Sequence, residues 1–343
     1  MHWIFSVPIG ITLCLIGLIG NFISIIVWRR IMKSKRSGST ATTIYLIVLG
    51  IVDSGLLFFF LITDTIPSNN PAVKKTFSYA AFFSYFGYPF FFFFIVASIW
   101  MLVGVTATRF IMVVFPIKAK DWCTPRRAYI GIGSILACTF IINVPHFFSY
   151  RPLQVKDGYE LGMSEYGKSE SAQMYEFWVH CMFLVLVPWA SIAIFNASII
   201  HSMMKRTKYM QKLDNTSSSK PERSKQDRQM TRVLLTVTFT FLILLALQCI
   251  TQCFFMLGAG KVKTSWNKNS VNLAFAFAKM AVVINSAINC FLYCFTGTVF
   301  RQEFFKMFNF KISARYDTYA STSTGNAKTS RADTTETFAE SKA

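Results

Sequence analysis

Charged side chains are scarce in this sequence of 343 residues: Asp, Glu, Lys and Arg together make up 15% of it, against about 25% in soluble domains. Acids are scarcer still, 16 against 35 Lys and Arg. No Walker loop, HExxH or GxSxG pattern occurs, so the residue sets that cradle phosphates, hold catalytic zinc or present a nucleophilic serine are missing and an enzyme is not expected. No internal repeat is evident, and no pair of interrupted apolar segments points to the inverted-repeat plan of transporters. The first apolar run lacks a basic leader and a small-residue cleavage site, which reads as a retained helix and not a signal peptide.

Long apolar runs are abundant. Hydrophobic residues make up 53% of the chain, gathered into seven runs near 8–28, 42–66, 79–113, 128–150, 176–204, 230–258 and 270–295. A bilayer needs roughly 20 apolar residues per spanning helix. Runs such as Phe90 to Val96 do not alternate, which excludes barrel strands. The expected fold is an all-α membrane protein, a bundle of seven transmembrane helices over 8–295 after a short outer segment, 1–7. A short amphipathic helix is expected over 296–309, because Phe300, Phe304, Phe305 and Phe308 recur at helical spacing. The tail, 310–343, is rich in Ser, Thr, Gly and Ala and cannot build a core.

Basic residues cluster in alternate loops: Arg29, Arg30, Lys33, Lys35 and Arg36 in the first, Lys118, Lys120, Arg126 and Arg127 in the third, and eight Lys or Arg between Met203 and Met230 in the fifth. Basic loops stay cytoplasmic, which places the N-terminus outside and the C-terminus inside. The net charge of +19 then reflects topology and contact with anionic membrane lipid, and a nucleic-acid partner is not expected. None of the eight cysteines falls in an outer loop, so no disulfide is expected.

Several short patterns occur in order along these runs: Gly20-Asn21 in the first, Leu49 four residues before Asp53 in the second, Thr108-Arg109-Phe110 at the end of the third, Pro188 in the fifth, and Asn285-Ser-Ala-Ile-Asn289-Cys-Phe-Leu-Tyr293 in the seventh. Together they resemble the rhodopsin-like (class A) G-protein-coupled receptors. Val144-Pro-His-Phe-Phe, Asn196 and Thr231-Arg-Val-Leu are similar to the invertebrate FMRFamide-type neuropeptide receptors. The departures are Thr108 in place of the acid before Arg109, Cys290 in place of proline, Leu245 and Leu247 in place of the Trp and Pro of the sixth helix, and Ser84 in place of the bridging cysteine.

The resemblance implies roles. Asp53, a mid-bilayer carboxylate, costs about 2.5–3.5 kcal/mol to insert and is expected to face polar company from Asn21, Ser98, Asn285, Ser286 and Asn289. That group either surrounds an allosteric sodium ion or forms a hydrogen-bonded network without one. Arg109 becomes the gate against the G protein, with Asp227 as the acid that pairs with it. Ile99, Pro188 and Phe241 form the trio that repacks on activation, and Tyr293 swings inward. The ligand pocket is expected among Asp64, Tyr88, Phe91, Phe92, Gln252 and Lys279. Phe91 stands where amine receptors carry aspartate, which argues against monoamines. Asp64 and Lys279 either pair with each other or receive ligand charges.

The expected function is a plasma-membrane receptor that binds an extracellular peptide or other small ligand, activates a heterotrimeric G protein, and recruits arrestin through its phosphorylated tail. The alternatives are a divergent chemosensory receptor for small molecules and, further off, a transporter or channel.

Overall fold

The computed structural model of the chain describes residues 5–34, 39–213, 231–244, 246 and 268–307. The membrane-spanning helices are α1 (Val7–Lys33), α2 (Thr40–Asn69), α3 (Phe77–Val114), α4 (Pro125–Phe148) and α5 (Glu170–Arg206), with α6 described over Thr231–Leu244. They continue with α7 (Lys268–Thr296) and a ten-residue helix, α8 (Thr298–Met307). A hydrocarbon solvent offers the backbone no partner, so apolar runs of this length close their hydrogen bonds internally. The helix starts are written locally. Ser39, Thr76 and Thr124 each accept a backbone N–H three residues on, and Pro125 occupies the first turn of α4, where its missing donor costs nothing.

Packing centres on α2 and α3: α3 lies against α2, α4 and α5, while α2 also meets α1, α4 and α7. Close approach of α1 to α7 depends on Gly17, where a Cβ would sit 2.8 Å from that of Ala287. Between α5 and α6, Asn196 Nδ2 donates to Thr238 Oγ1 at 2.8 Å.

Besides the π-type turn Phe5–Ile9 at the start of α1, three helices widen into such turns, at Leu61–Thr65 in α2, Phe83–Gly87 in α3 and His180–Leu186 in α5. Carbonyls within two of these turns accept from ring donors of α3. Tyr79 Oη donates to Thr63 O at 2.9 Å, and Trp100 Nε1 donates to Phe183 O at 2.9 Å. The turn in α5 ends just before Pro188, whose nitrogen has no proton to donate.

Between α4 and α5 lies a feature absent from the sequence reading, an antiparallel hairpin of β1 (Tyr150–Val155) and β2 (Gly158–Met163). Its turn uses Gly158 at φ 130, a backbone conformation open to glycine. The adjoining Tyr159 N donates to Lys75 O at 2.9 Å, fastening the hairpin tip to the segment between α2 and α3. Helix α5 starts at Glu170, six residues before the expected boundary, because Ser169 caps the extra turn through Ala172 N.

Candidate functional site

The strongest polar cluster is at mid-bundle. Asp53 of α2 is completely buried. Its Oδ1 accepts from Ser98 Oγ of α3 at 2.5 Å and from Ser286 Oγ of α7 at 3.0 Å, and its Oδ2 accepts from Asn289 Nδ2 at 2.7 Å. Asn21 of α1 does not reach the carboxylate; its amide donates to Ser286 O at 3.0 Å. Four helices are thus tied through one acid and two amides. Asn285 lines a cavity of about 20 Å³ with Ser98, Ser286, Ile99 and Phe241. That is room for one water-sized particle. Seven of its ten lining residues are apolar; Ser98, Asn285 and Ser286 are the polar ones, and Asp53 is not among them.

Ile99 and Phe241 therefore meet at one cavity, both buried, while Pro188 is buried in α5 without lining it.

At the other end of α3, Arg109 is 2% exposed, an unusual degree of burial for a guanidinium. The neighbouring Thr108 turns toward α2: its Oγ1 donates to Val105 O at 2.7 Å and lies 3.2 Å from Thr42 Oγ1. Asp227 and Gln252 lie outside the described residues. Cys123, in the loop after α3, donates to Thr108 O at 3.7 Å; burial pushes its thiol up, opposed by the positive field of Arg109.

Tyr293 closes an inner aromatic cluster. Its ring centroid is 5.4 Å from Trp28 of α1 and 5.4 Å from Phe300, and Trp28 and Phe300 are 5.2 Å apart. Neither Trp28 nor the role of Phe300 as its partner is marked by any motif; only the fold brings these rings together.

At pocket height, Lys279 Nζ of α7 donates to Asp64 Oδ1 of α2 at 2.6 Å. The wide turn Leu61–Thr65 carries Asp64 to this position. The pair is reachable, with side chains 16% and 35% exposed. Asp64 Oδ2 is buried with no hydrogen-bond partner among the described residues.

Phe91 packs on Phe60, whereas Tyr88 and Phe92 both pack on His146 at the end of α4. His146 is 1% exposed, and its Nδ1 lies 3.4 Å from Glu176 Oε1, which also accepts from Ser149 Oγ at 2.8 Å. Tyr150 of β1 stacks edge-on against Tyr88 at 4.7 Å. Burial pushes the Tyr150 phenol up, Glu176 adds to this, and a hydrogen bond with Tyr88 opposes it. The sequence reading assigned no role to His146 or Glu176. A histidine closing an apolar run was the available signal for His146, and its partner is 30 residues away.

This arrangement places a buried acid at mid-bundle, a buried arginine at one end of α3, and an ion pair between α2 and α7. Residues 20–293 match the family model described as 7 transmembrane receptor (rhodopsin family). The chain belongs to that family.

It is a receptor, then, and not an enzyme. The receptor is 27% identical over 59% of its length to the FMRFamide peptide receptor frpr-18 of Caenorhabditis elegans, and covers 47% of that protein. It is 25% identical to the FMRFamide receptor of Drosophila melanogaster, over 89% of this chain and 54% of the relative. With the thyrotropin-releasing hormone receptor of Bos taurus it shares 25% identity over 90% of this chain and 79% of the relative. The receptor spans about half the length of the two FMRFamide receptors. Ser84 is buried, and Cys14, Cys123, Cys138, Cys290 and Cys294 are free thiols.

Proposed function

We propose that this protein is a plasma-membrane receptor for an extracellular peptide that signals through a heterotrimeric G protein. Its N-terminus lies outside and its basic loops in the cytoplasm. The observation that carries this reading is the Asp64–Lys279 pair, because it leaves one buried carboxylate oxygen ready for a cation. A basic ligand group would take that oxygen and compete with Lys279. The names of the FMRFamide receptors support a peptide, and the hairpin between α4 and α5 provides an edge for an extended chain.

Ligand binding between α2 and α7 would be felt at Asp53 and at the Ile99–Phe241 cavity. A sodium ion held by Asp53, Ser98 and Ser286 would favour the resting arrangement. Opening of the inner end would expose Arg109 to the G protein, and a phosphorylated tail would recruit arrestin. Thr108 cannot hold Arg109 as an acid would, so basal signalling should be high.

The test is a panel of amidated peptides and small odorants with a G-protein dissociation readout, run on the receptor and on its Asp64→Asn and Arg109→Ala variants. A peptide response weakened by the first and abolished by the second is expected. A response only to odorants supports the chemosensory alternative, and agonist-free output equal to that of mock-transfected cells removes the claim of basal activity.

A further inference from the structure

A second cavity, larger than the one at the polar core, lies elsewhere. It measures about 280 Å³ and lies at the inner end of α3, between α3, α5 and the short helix Pro116–Trp122. Its walls are Ala107, Phe110 and Ile111 of α3, Phe195 of α5, and Phe115 and Trp122 of the loop, with Lys118 as the charged side chain among them. Phe110 and Phe195 stack at 5.0 Å, and Phe110 meets Phe115 edge-on at 5.7 Å, so the walls are rings set against one another. The rim faces outward and is apolar: Phe115, Ile117 and Trp122 are 46%, 85% and 57% exposed. A soluble protein would not leave such a rim to water; a membrane protein presents it to hydrocarbon.

We propose that this slot binds one acyl chain of an anionic phospholipid, with the headgroup phosphate held by Lys118. The charge on the page selects the headgroup. Between Phe115 and Arg127 stand Lys118, Lys120, Arg126 and Arg127 against the single acid Asp121. The Lys118 ammonium lies 5.8 Å from the centre of the Phe115 ring, and the Arg127 guanidinium lies 5.8 Å from that of Trp122, so two of the cations sit on the aromatic residues that line the slot. A neutral apolar occupant would leave these charges unanswered, whereas an anionic lipid satisfies both the rings and the cations. Phe110 and Ile111, two of the walls, directly follow Arg109 in α3. An occupied slot therefore braces the stretch of α3 that carries Arg109 and the loop helix beside it.

The inference relies on the proposed orientation only to put the slot in the inner leaflet. The experiment is accordingly done in nanodiscs whose two leaflets have the same composition, so that an error in orientation cannot mimic failure of the slot. The full-length receptor is embedded in phosphatidylcholine with trace phospholipid bearing a diazirine on one acyl chain and either a serine or a choline headgroup. Adducts after illumination are mapped by peptide mass spectrometry. Labelling of the peptides containing Phe110, Phe115 and Phe195 is expected to be at least about threefold greater with the serine headgroup. Lys118→Gln should bring it down to the choline level and Lys118→Arg should keep it. Ala107→Trp, which fills the slot, should remove labelling there with both headgroups while adducts on α1 persist. Equal labelling by the two headgroups, indifference to Lys118→Gln, or indifference to Ala107→Trp would each overturn the proposal. Lys118 is exposed, so its variants leave the bundle intact, and a monodisperse size-exclusion profile checks this directly.

Discussion

Asp53 takes side-chain donors from Ser98, Ser286 and Asn289 with no contact to solvent, so its removal strands all three in a medium that cannot satisfy them. A buried group left unpaired costs about 1–3 kcal/mol. Asp53→Ala should lower the unfolding temperature in detergent by several degrees, read with a thiol-reactive dye. If the cluster also holds sodium, sodium chloride will raise the midpoint of the wild-type receptor above that in potassium chloride, and Asp53→Asn will abolish the difference. The Asp64–Lys279 pair is a different case, because Lys279 is about one third exposed and partly screened. A double-mutant cycle with Asp64→Asn and Lys279→Gln should return a coupling of only about 1 kcal/mol. That Asp53 needs polar company follows from a carboxylate in hydrocarbon; the resemblance is what named Asn21, Ser98, Asn285, Ser286 and Asn289 as that company. Their individual bonds were not legible: Asn21 reaches a carbonyl of α7, a partner decided by how α1 leans and invisible along the chain.

At the scale of elements, the hairpin between α4 and α5 shows how a loop is held without a disulfide. Its tip is bonded to Lys75, its base stacks on Tyr88, and the adjoining α4 end carries His146 beside Glu176. A Cβ on Gly158 would lie 2.6 Å from Lys75 O at a φ of 130, which an L side chain rarely adopts. Gly158→Ala should therefore accelerate amide exchange across 150–163 and leave α2 and α3 unchanged; uniform exchange in wild type and variant would show that the tip contact carries no weight. The hairpin escaped the sequence reading because Tyr150 to Val155 alternates only weakly and has no cluster of turn residues beyond Asp157-Gly158. Thr124-Pro125 sets the start of α4 through local chemistry, three residues before the expected boundary of 128. The wide turns in α2 and α5 could not be foreseen, since each has a carbonyl that accepts from a side chain of α3.

Across the whole molecule, one helix, α3, runs from the hairpin past the buried acid to the buried arginine. That helix carries Tyr88 near the hairpin, Ser98 at the acid and Arg109 at the far end. Thr108, set against Thr42, stands beside Arg109 where the resemblance would place an acid. Thr108→Asp should supply it: a pairing of about 1 kcal/mol shifts a two-state ratio roughly fivefold, so agonist-free G-protein dissociation should fall by that order with surface expression unchanged. The sequence by itself determined the seven apolar spans, their sidedness as an expectation, and the need for Asp53 to be sheltered, because hydrocarbon penalises a charged residue wherever it stands along the chain. Only the tertiary structure decided which carbonyl Asn21 meets, that Trp28 and Phe300 enclose Tyr293, that His146 sits beside Glu176, and that an aromatic slot opens beside Lys118. Those outcomes depend on the rotation and tilt of whole helices, set by packing that involves many residues at once and is recorded in no local pattern.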